Sequence, residues 1–444
     1  MGYYDNAYRL KLRTPEDAVR IVKSGDWVDY TTGLGKPVLL DRALAKRRDE
    51  LYDVKIRGNL INGPIEVVEC DPTKEHFIYH TWHCSPYERS LCDKELCYFI
   101  PMVFHLNSEY YKHFLTVNVA MVSVTPMDKH GYFNFSTITG VTGAILRKAD
   151  VVILEVNERL PKLLGGYDEC IHIDDVDMVV EGEHDPLPDN QPGPVGPIDR
   201  EIAGNLFPYM KDGMTLQLGI GDLPNAIGTM LADSDIRDVS MHTELCSDAY
   251  LELFKAGKLT NRYKTINYGK GVLGIAIGSR EMYEWLDENP SIAAYPLAYV
   301  NKPTVIEQID NMVSVNSCVA VDLYGQISSE SAGIRQISGT GGQLDFLVGA
   351  AEARGGKAFI CVNSTFTDRK GVKHSNIVPR FGGDIITSPR SQAYFIATEY
   401  GVVNLVGRST WERAELLISI AHPDFRDELI KAAEAQKIWR RSNR

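Results

Sequence analysis

At 444 residues the chain is too long for one ordinary hydrophobic core and is expected to form two domains. Its 44% apolar and 24% charged residues are ordinary for a globular protein, and a formal charge of −12 argues against nucleic acid or an anionic membrane as the main partner. An anionic cofactor held locally by backbone amides stays compatible with that charge.

The first stretch, "MGYYDNAYRLKLRTPEDAVRIVKSGD", is polar and lacks the apolar core of a secretory signal, and nothing downstream has the length of a membrane span. The eight cysteines, Cys70, Cys84, Cys92, Cys97, Cys170, Cys246, Cys318 and Cys361, are too scattered for a disulfide framework. They read as reduced thiols in a cytoplasmic enzyme. Residues 21–40, "IVKSGDWVDYTTGLGKPVLL", read as helix end, Ser-Gly turn, strand, Gly-x-Gly, proline and apolar helix. "HTWHCSPYERSLCDKELC" (80–97) gathers His80, His83, Cys84, Cys92 and Cys97, but at no standard zinc spacing, so no metal site is expected. Cys84 beside His83 imitates an activated thiol, although adjacent residues rarely orient each other that way. "VVILEV" (151–156) reads as a buried strand.

Residues 181–199, "EGEHDPLPDNQPGPVGPID", hold five prolines and no periodic apolar pattern. They divide an expected N-terminal domain, 1–184, from a C-terminal domain, 199–444, with 185–198 as linker. After this seam the early pattern returns: "YMKDGMTLQLGIGDLPNAIG" (209–228) again reads strand, Gly-x-Gly, proline and apolar helix, with Asp222 as a candidate N-cap. The repeat points to two similar α/β domains. "CVAVDL" (318–323) and "AFICV" (358–362) add apolar strands between helical stretches, and "STWERAELLISIAHPDFRDELIKAAEAQ" opens on a Ser409–Glu412 capping box. Continuous apolar strands divided by helices predict a mostly parallel, doubly covered sheet, with ligands at the carboxyl ends of strands.

Two glycine stretches stand at expected strand–helix junctions, "LGIGDLP" (218–224) and "SGTGGQLDFLVGA" (338–350). Glycine there lets backbone amides approach an anion or a carbonyl oxygen, or simply makes a tight turn. A nicotinamide site is the decoy: Gly219 and Gly221 follow a strand and Glu244 stands where a ribose-binding acid belongs, but Pro224 occupies the place of the third glycine. Gly-Lys pairs begin at 35, 257, 269 and 356, none followed by Ser or Thr, so no P-loop is present and no need for ATP is expected.

"VSMHTELCSDAY" (239–250) places Glu244 where a strand ends and a helix begins, as a helix cap, a ribose ligand or a nucleophile. His242 shares its face if the strand is regular. Gln217 interrupts the strand "MTLQLGIG" with an amide that must be paired or must point into a site. Asn301, before Lys302-Pro303, reads by itself as a turn residue.

In order, "GIGDLP", "HTE", "DNMVSVNS", "SGTGGQLDF" and "TEYGVVNLVGRS" resemble the acetyl-CoA hydrolase/transferase family of class I coenzyme A transferases, nearest its butyryl-CoA:acetate and 4-hydroxybutyrate CoA-transferases. The resemblance covers nearly the whole chain. It implies two open α/β domains with the active site between them, Glu244 as catalytic carboxylate, and Gln217 and Asn301 near the reacting acyl group. Gly219, Gly221, Gly341 and Gly342 would line the thioester and CoA. CoA thioester enters as substrate with no resident cofactor, and a homo-oligomer, a dimer or dimer of dimers, is implied. Asp222-Leu223 and Thr243 depart from many relatives, which bears on substrate choice.

The chemistry fits a glutamate. A carboxylate attacks the acyl-CoA carbonyl to give a mixed anhydride and CoA thiolate, and the thiolate then attacks the glutamyl carbonyl. Serine or cysteine has no carbonyl with which to hold CoA. Two alternatives share the framework: an acetyl-CoA hydrolase using the same Glu244, and a noncatalytic CoA-binding sensor that would not need it.

Overall fold

Continuous apolar runs shape the first half of the computed structural model, which describes residues 3–219 and 221–440. The strands of its main sheet are β1 (Leu12–Arg13), β2 (Trp27–Thr32), β3 (Val54–Asn59), β4 (Phe77–Thr81), β5 (Cys97–Phe99), β6 (Val119–Val124), β7 (Val151–Val156) and β8 (Met178–Glu181). They form one sheet in the order β1-β8-β7-β6-β2-β3-β4-β5, and every pair is parallel. A parallel sheet needs both faces covered. Alternation in β6 and β7 does this: Val119, Met121 and Ile153 join one core with Val28, Tyr30, Ile56 and Tyr79. Ala120, Val122, Val152 and Leu154 join another with Trp82, Phe104 and Phe133.

β2 has β3 on one side and β6 on the other, so the strand order reverses there. Helix α1 (Val38–Ala45) follows its Gly33-Leu34-Gly35 turn. Its first turn is occupied from within: Glu155 of β7, fully buried, accepts from Leu39 N (2.9 Å) and Leu40 N (3.0 Å) and bonds His184 Nε2 (3.0 Å). Helix α2 (Pro86–Asp93) starts from a capping box between Ser85 and Glu88, with proline at its first position.

The described chain divides into two compact units: residues up to Asn190 together with Val272–Val300, and Gln191–Gly271 together with residues from Asn301 onward. In the second unit β9 (Thr215–Leu218), β10 (Ser240–Cys246), β11 (Met312–Ser317), β12 (Lys357–Cys361), β13 (Phe395–Thr398) and β14 (Gly401–Asn404) run in the order β10-β9-β11-β12-β13-β14. All of these pairs are parallel except β13/β14. β9 is therefore the switch strand here, as β2 is in the first unit, and each follows a glycine turn with positive φ, Gly25 (88°) and Gly213 (71°). The mostly parallel α/β architecture and the repeated strand–glycine–helix unit agree with the sequence.

Three local readings change. Helix α3 (Asp222–Asp233) takes Gly221 as N-cap, at φ 114° and ψ −165°, so Asp222 is its first residue. The segment expected as a strand at 318–323 contributes only Ala320–Asp322, to a small separate sheet, and the neighbouring main strand is β11. The C-terminal helical stretch is two helices, Thr410–Ser419 and Pro423–Ala435, because His422-Pro423 restarts the backbone. The Ser409–Glu412 capping box is present.

Candidate active site

Strand splaying exposes the candidate carboxylate. β9 and β10 pair at Thr215–Ser240 and Leu216–Met241, and β10 then continues to Cys246 without a β9 partner. The freed backbone groups find side chains instead. The hydroxyl of Tyr250, on helix α4 (Asp248–Lys255), donates to Leu216 O (3.2 Å) and accepts from Leu218 N (3.0 Å), and Thr243 Oγ1 donates to Leu218 O (3.4 Å) and Leu245 O (2.9 Å). Glu244 lies on this diverging segment as its one partly exposed residue. It caps no helix, since Ser247 is the N-cap of α4.

Asn301 Nδ2 donates to Glu244 Oε2 at 2.5 Å, and Asn301 is itself fully buried. The backbone N–H of Gly342 also donates to the carboxylate. Gly342 is the N-cap of helix α5 (Gln343–Glu352), and a Cβ there would overlap both Glu244 Oε2 and Asn301 Nδ2. Only glycine brings its amide this close. Gly341, at φ 56°, makes the turn that delivers it. Burial pushes the Glu244 carboxyl up to about 7, with the charge of Asp345 adding to the rise, while Asn301 and the Gly342 amide pull it back. A carboxylate poised near neutrality at a strand end is typical of a reactive group. Buried His242, two residues earlier, packs its ring 6.3 Å from Phe346.

Gln217 stands elsewhere. Its Oε1 accepts from Ser314 Oγ (2.6 Å) and Asn316 Nδ2 (3.0 Å), and its Nε2 donates to Asn316 Oδ1 (3.0 Å), so the amide is committed to β11 and makes no bond to Glu244. The Gly219 amide is likewise used, donating to Val315 O at 3.0 Å. Ile220 lies outside the described residues. Gly221 faces a cavity of about 610 Å³ at the carboxyl ends of β9, β11 and β12, bordered by Leu223, Ser317, Cys361 and Phe366. This is the crevice where ligands bind in open parallel sheets.

The structure thus joins Glu244, Asn301, Gly341 and Gly342, and leaves Gln217, Gly219 and Gly221 in a second group around the switch strand. Sequence reading missed Tyr250 and Asp345. Tyr250 had only its place in an apolar helical pattern, whereas Asp345 in "GGQLDF" is an acid in the first turn of an apolar helix, a usable signal. Among the described residues no group of three or more His, Cys, Asp or Glu side chains forms a metal-binding cluster.

The N-terminal domain model of the acetyl-CoA hydrolase/transferase family matches residues 2–188, and its C-terminal domain model matches residues 278–433. The chain belongs to this family. A butyryl-CoA:acetate CoA-transferase from Anaerostipes caccae is 45% identical over 444 residues, covering 99% of this chain and 100% of the relative. The crystal structure of RipA from Yersinia pestis superposes with a TM-score of 0.90 at 34% identity, covering 98% and 99% of the two chains. A 4-hydroxybutyrate CoA-transferase from Porphyromonas gingivalis gives 0.78 at 31% identity, covering 98% and 100%.

Proposed function

We propose that this protein moves CoA between a short-chain acyl-CoA, such as a butyryl, propionyl or 4-hydroxybutyryl thioester, and a carboxylate such as acetate, with Glu244 as the covalent carrier. The observation that carries this is the seat of Glu244: a near-neutral carboxyl held by Asn301 and the Gly342 amide, at a spot where no Cβ fits. It stands in a chain 45% identical, over full length, to a butyryl-CoA:acetate CoA-transferase.

The roles follow from the contacts. Asn301 fixes Oε2, so Oε1 attacks the thioester carbonyl and displaces CoA thiolate. The resulting anhydride keeps Oε2 as the glutamyl carbonyl oxygen, already facing the Asn301 amide. When thiolate attacks that carbonyl, charge collects on Oε2 where this donor waits, with the Gly342 N–H also donating to the carboxyl group. Such a donor is worth about 3 kcal/mol of barrier. The first acid departs, a second enters, and the steps reverse. Thioester energy is conserved throughout.

Incubation with butyryl-CoA alone, followed by borohydride reduction and peptide mapping, tests the reading. A glutamyl-CoA adduct should be trapped at Glu244 and discharged by added acetate. Rapid turnover without acetate would favour hydrolysis, and CoA exchange at the normal rate in Glu244→Gln would refute the role of this residue.

A further inference from the structure

Three thiols from one short segment of the first unit meet at α2. Cys84 precedes the helix, Cys92 sits in its last turn and Cys97 opens β5. Cys84 Sγ lies 3.9 Å from Cys92 Sγ, and Cys97 is also within hydrogen-bonding reach of the Cys92 sulfur. All three are free thiols. Their exposure differs: Cys92 is partly exposed, whereas Cys84 and Cys97 are only 4% and 6% exposed beneath it. The proposed CoA transfer uses none of them, and the cluster has no metal-binding arrangement.

We propose that Cys92 and Cys84 form a peroxide-oxidisable pair, with Cys92 as the attacked thiol and Cys84 as the one that resolves it. The surface sulfur is the one an oxidant reaches, and a buried thiol in van der Waals contact beneath it is placed to capture the product. Hydrogen bonding with the Cys84 and Cys97 thiols holds Cys92 below the ordinary thiol range, which favours its thiolate. The same contacts, with burial, raise Cys84 and Cys97. Cys84 is the better resolving partner because its sulfur lies 3.9 Å from that of Cys92, whereas Cys97 Sγ is engaged with Tyr98 O at 3.9 Å.

The chemistry balances with a hydroperoxide as oxidant. The Cys92 thiolate attacks one oxygen of hydrogen peroxide, breaks the O–O bond and releases hydroxide, leaving a sulfenic acid. Cys84 sulfur then attacks the Cys92 sulfur, its proton leaves with the departing hydroxyl as water, and the S–S bond forms. Two thiols are oxidised and one peroxide is reduced to two waters.

Reduced full-length protein is treated with hydrogen peroxide, its remaining thiols are alkylated in denaturant, and tryptic peptides are mapped. Arg89 and Lys94 place Cys84, Cys92 and Cys97 on separate peptides. The expected result is the loss of two titratable thiols, reversed by dithiothreitol, with a peptide joining Cys84 to Cys92. Cys97→Ser should keep this link, and Cys84→Ser should abolish it and leave a dimedone-reactive Cys92. Should Cys84→Ser not fold, the peptide map of the unmutated chain decides alone. Unchanged thiols, a Cys92–Cys97 link, or equally fast Cys84–Cys92 pairing in urea-unfolded chain would overturn the proposal.

Discussion

Replacing Glu244 by glutamine should stabilise the protein by an amount that grows as pH rises from about 4.5 to about 7 and is constant above. Burial and the Asp345 charge lift this carboxyl from 4.5 to about 7 in the folded state. The folded chain therefore holds the proton more tightly than the unfolded one, and stability falls as pH rises between those two values. Each pH unit of that interval costs about 1.4 kcal/mol, so the ionised glutamate burdens the fold by roughly 3–4 kcal/mol once pH exceeds the folded value. Glutamine keeps the shape and an oxygen for Asn301 while carrying no charge. Urea unfolding of both proteins at about pH 5 and about pH 8.5 gives the comparison. The variant should match the parent within ~1 kcal/mol at the lower pH and exceed it by roughly 3–4 kcal/mol at the higher one. A difference that stays constant across this range, or that grows toward acid, would refute the assignment of burial as the dominant influence on this side chain.

Three further outcomes are expected. The single-turnover rate of glutamyl-CoA formation should rise with pH through about 7, as Glu244 loses its proton, by about tenfold between pH 6 and 8 in rapid-quench measurements. Gly342→Ala drives a methyl group into Glu244 Oε2 and Asn301 Nδ2 and should lower kcat by about 10²–10³-fold, with far-UV circular dichroism unchanged. Tyr250→Phe strands Leu216 O and Leu218 N where β9 and β10 part, and should cost about 1–3 kcal/mol by urea titration.

Much of this was legible in the sequence because it rested on local pattern. "VVILEV" is a strand over its full length, 151–156, and Gly-x-Gly after an apolar run marks the switch strand in both units. The Glu244 turn and the Gly341-Gly342 junction were visible as residue types at a strand end and a helix start. The rest depended on tertiary partners. β11, "MVSVNS", carries Ser314 and Asn316, which look unsuited to a buried strand until Gln217 pairs with both across the sheet. The more apolar "CVAVDL" therefore drew the strand assignment away from it. Gln217 had the composition of a site residue, and only the register of β9 against β11 shows its amide spent on neighbours. Tyr250 had no polar signature, since its hydroxyl acts only where two strands separate.

The internal stopper at α1 makes two similarly built corners chemically unequal. Counting from each turn glycine, β2 pairs Val28 with Val119 and β9 pairs Leu216 with Val313, and four residues further along the neighbouring strands Ser123 faces Glu155 while Ser317 faces Cys361. A long acid thus stands in one half where a short thiol stands in the other, and the thiol side keeps its hollow. Shortening Glu155 to alanine would unseat two amides and one imidazole together, leaving a socket that small exogenous carboxylates are shaped to refill. Thermal protection by millimolar formate or acetate, seen in that variant and not in the parent, would be the signature of a dormant anion berth.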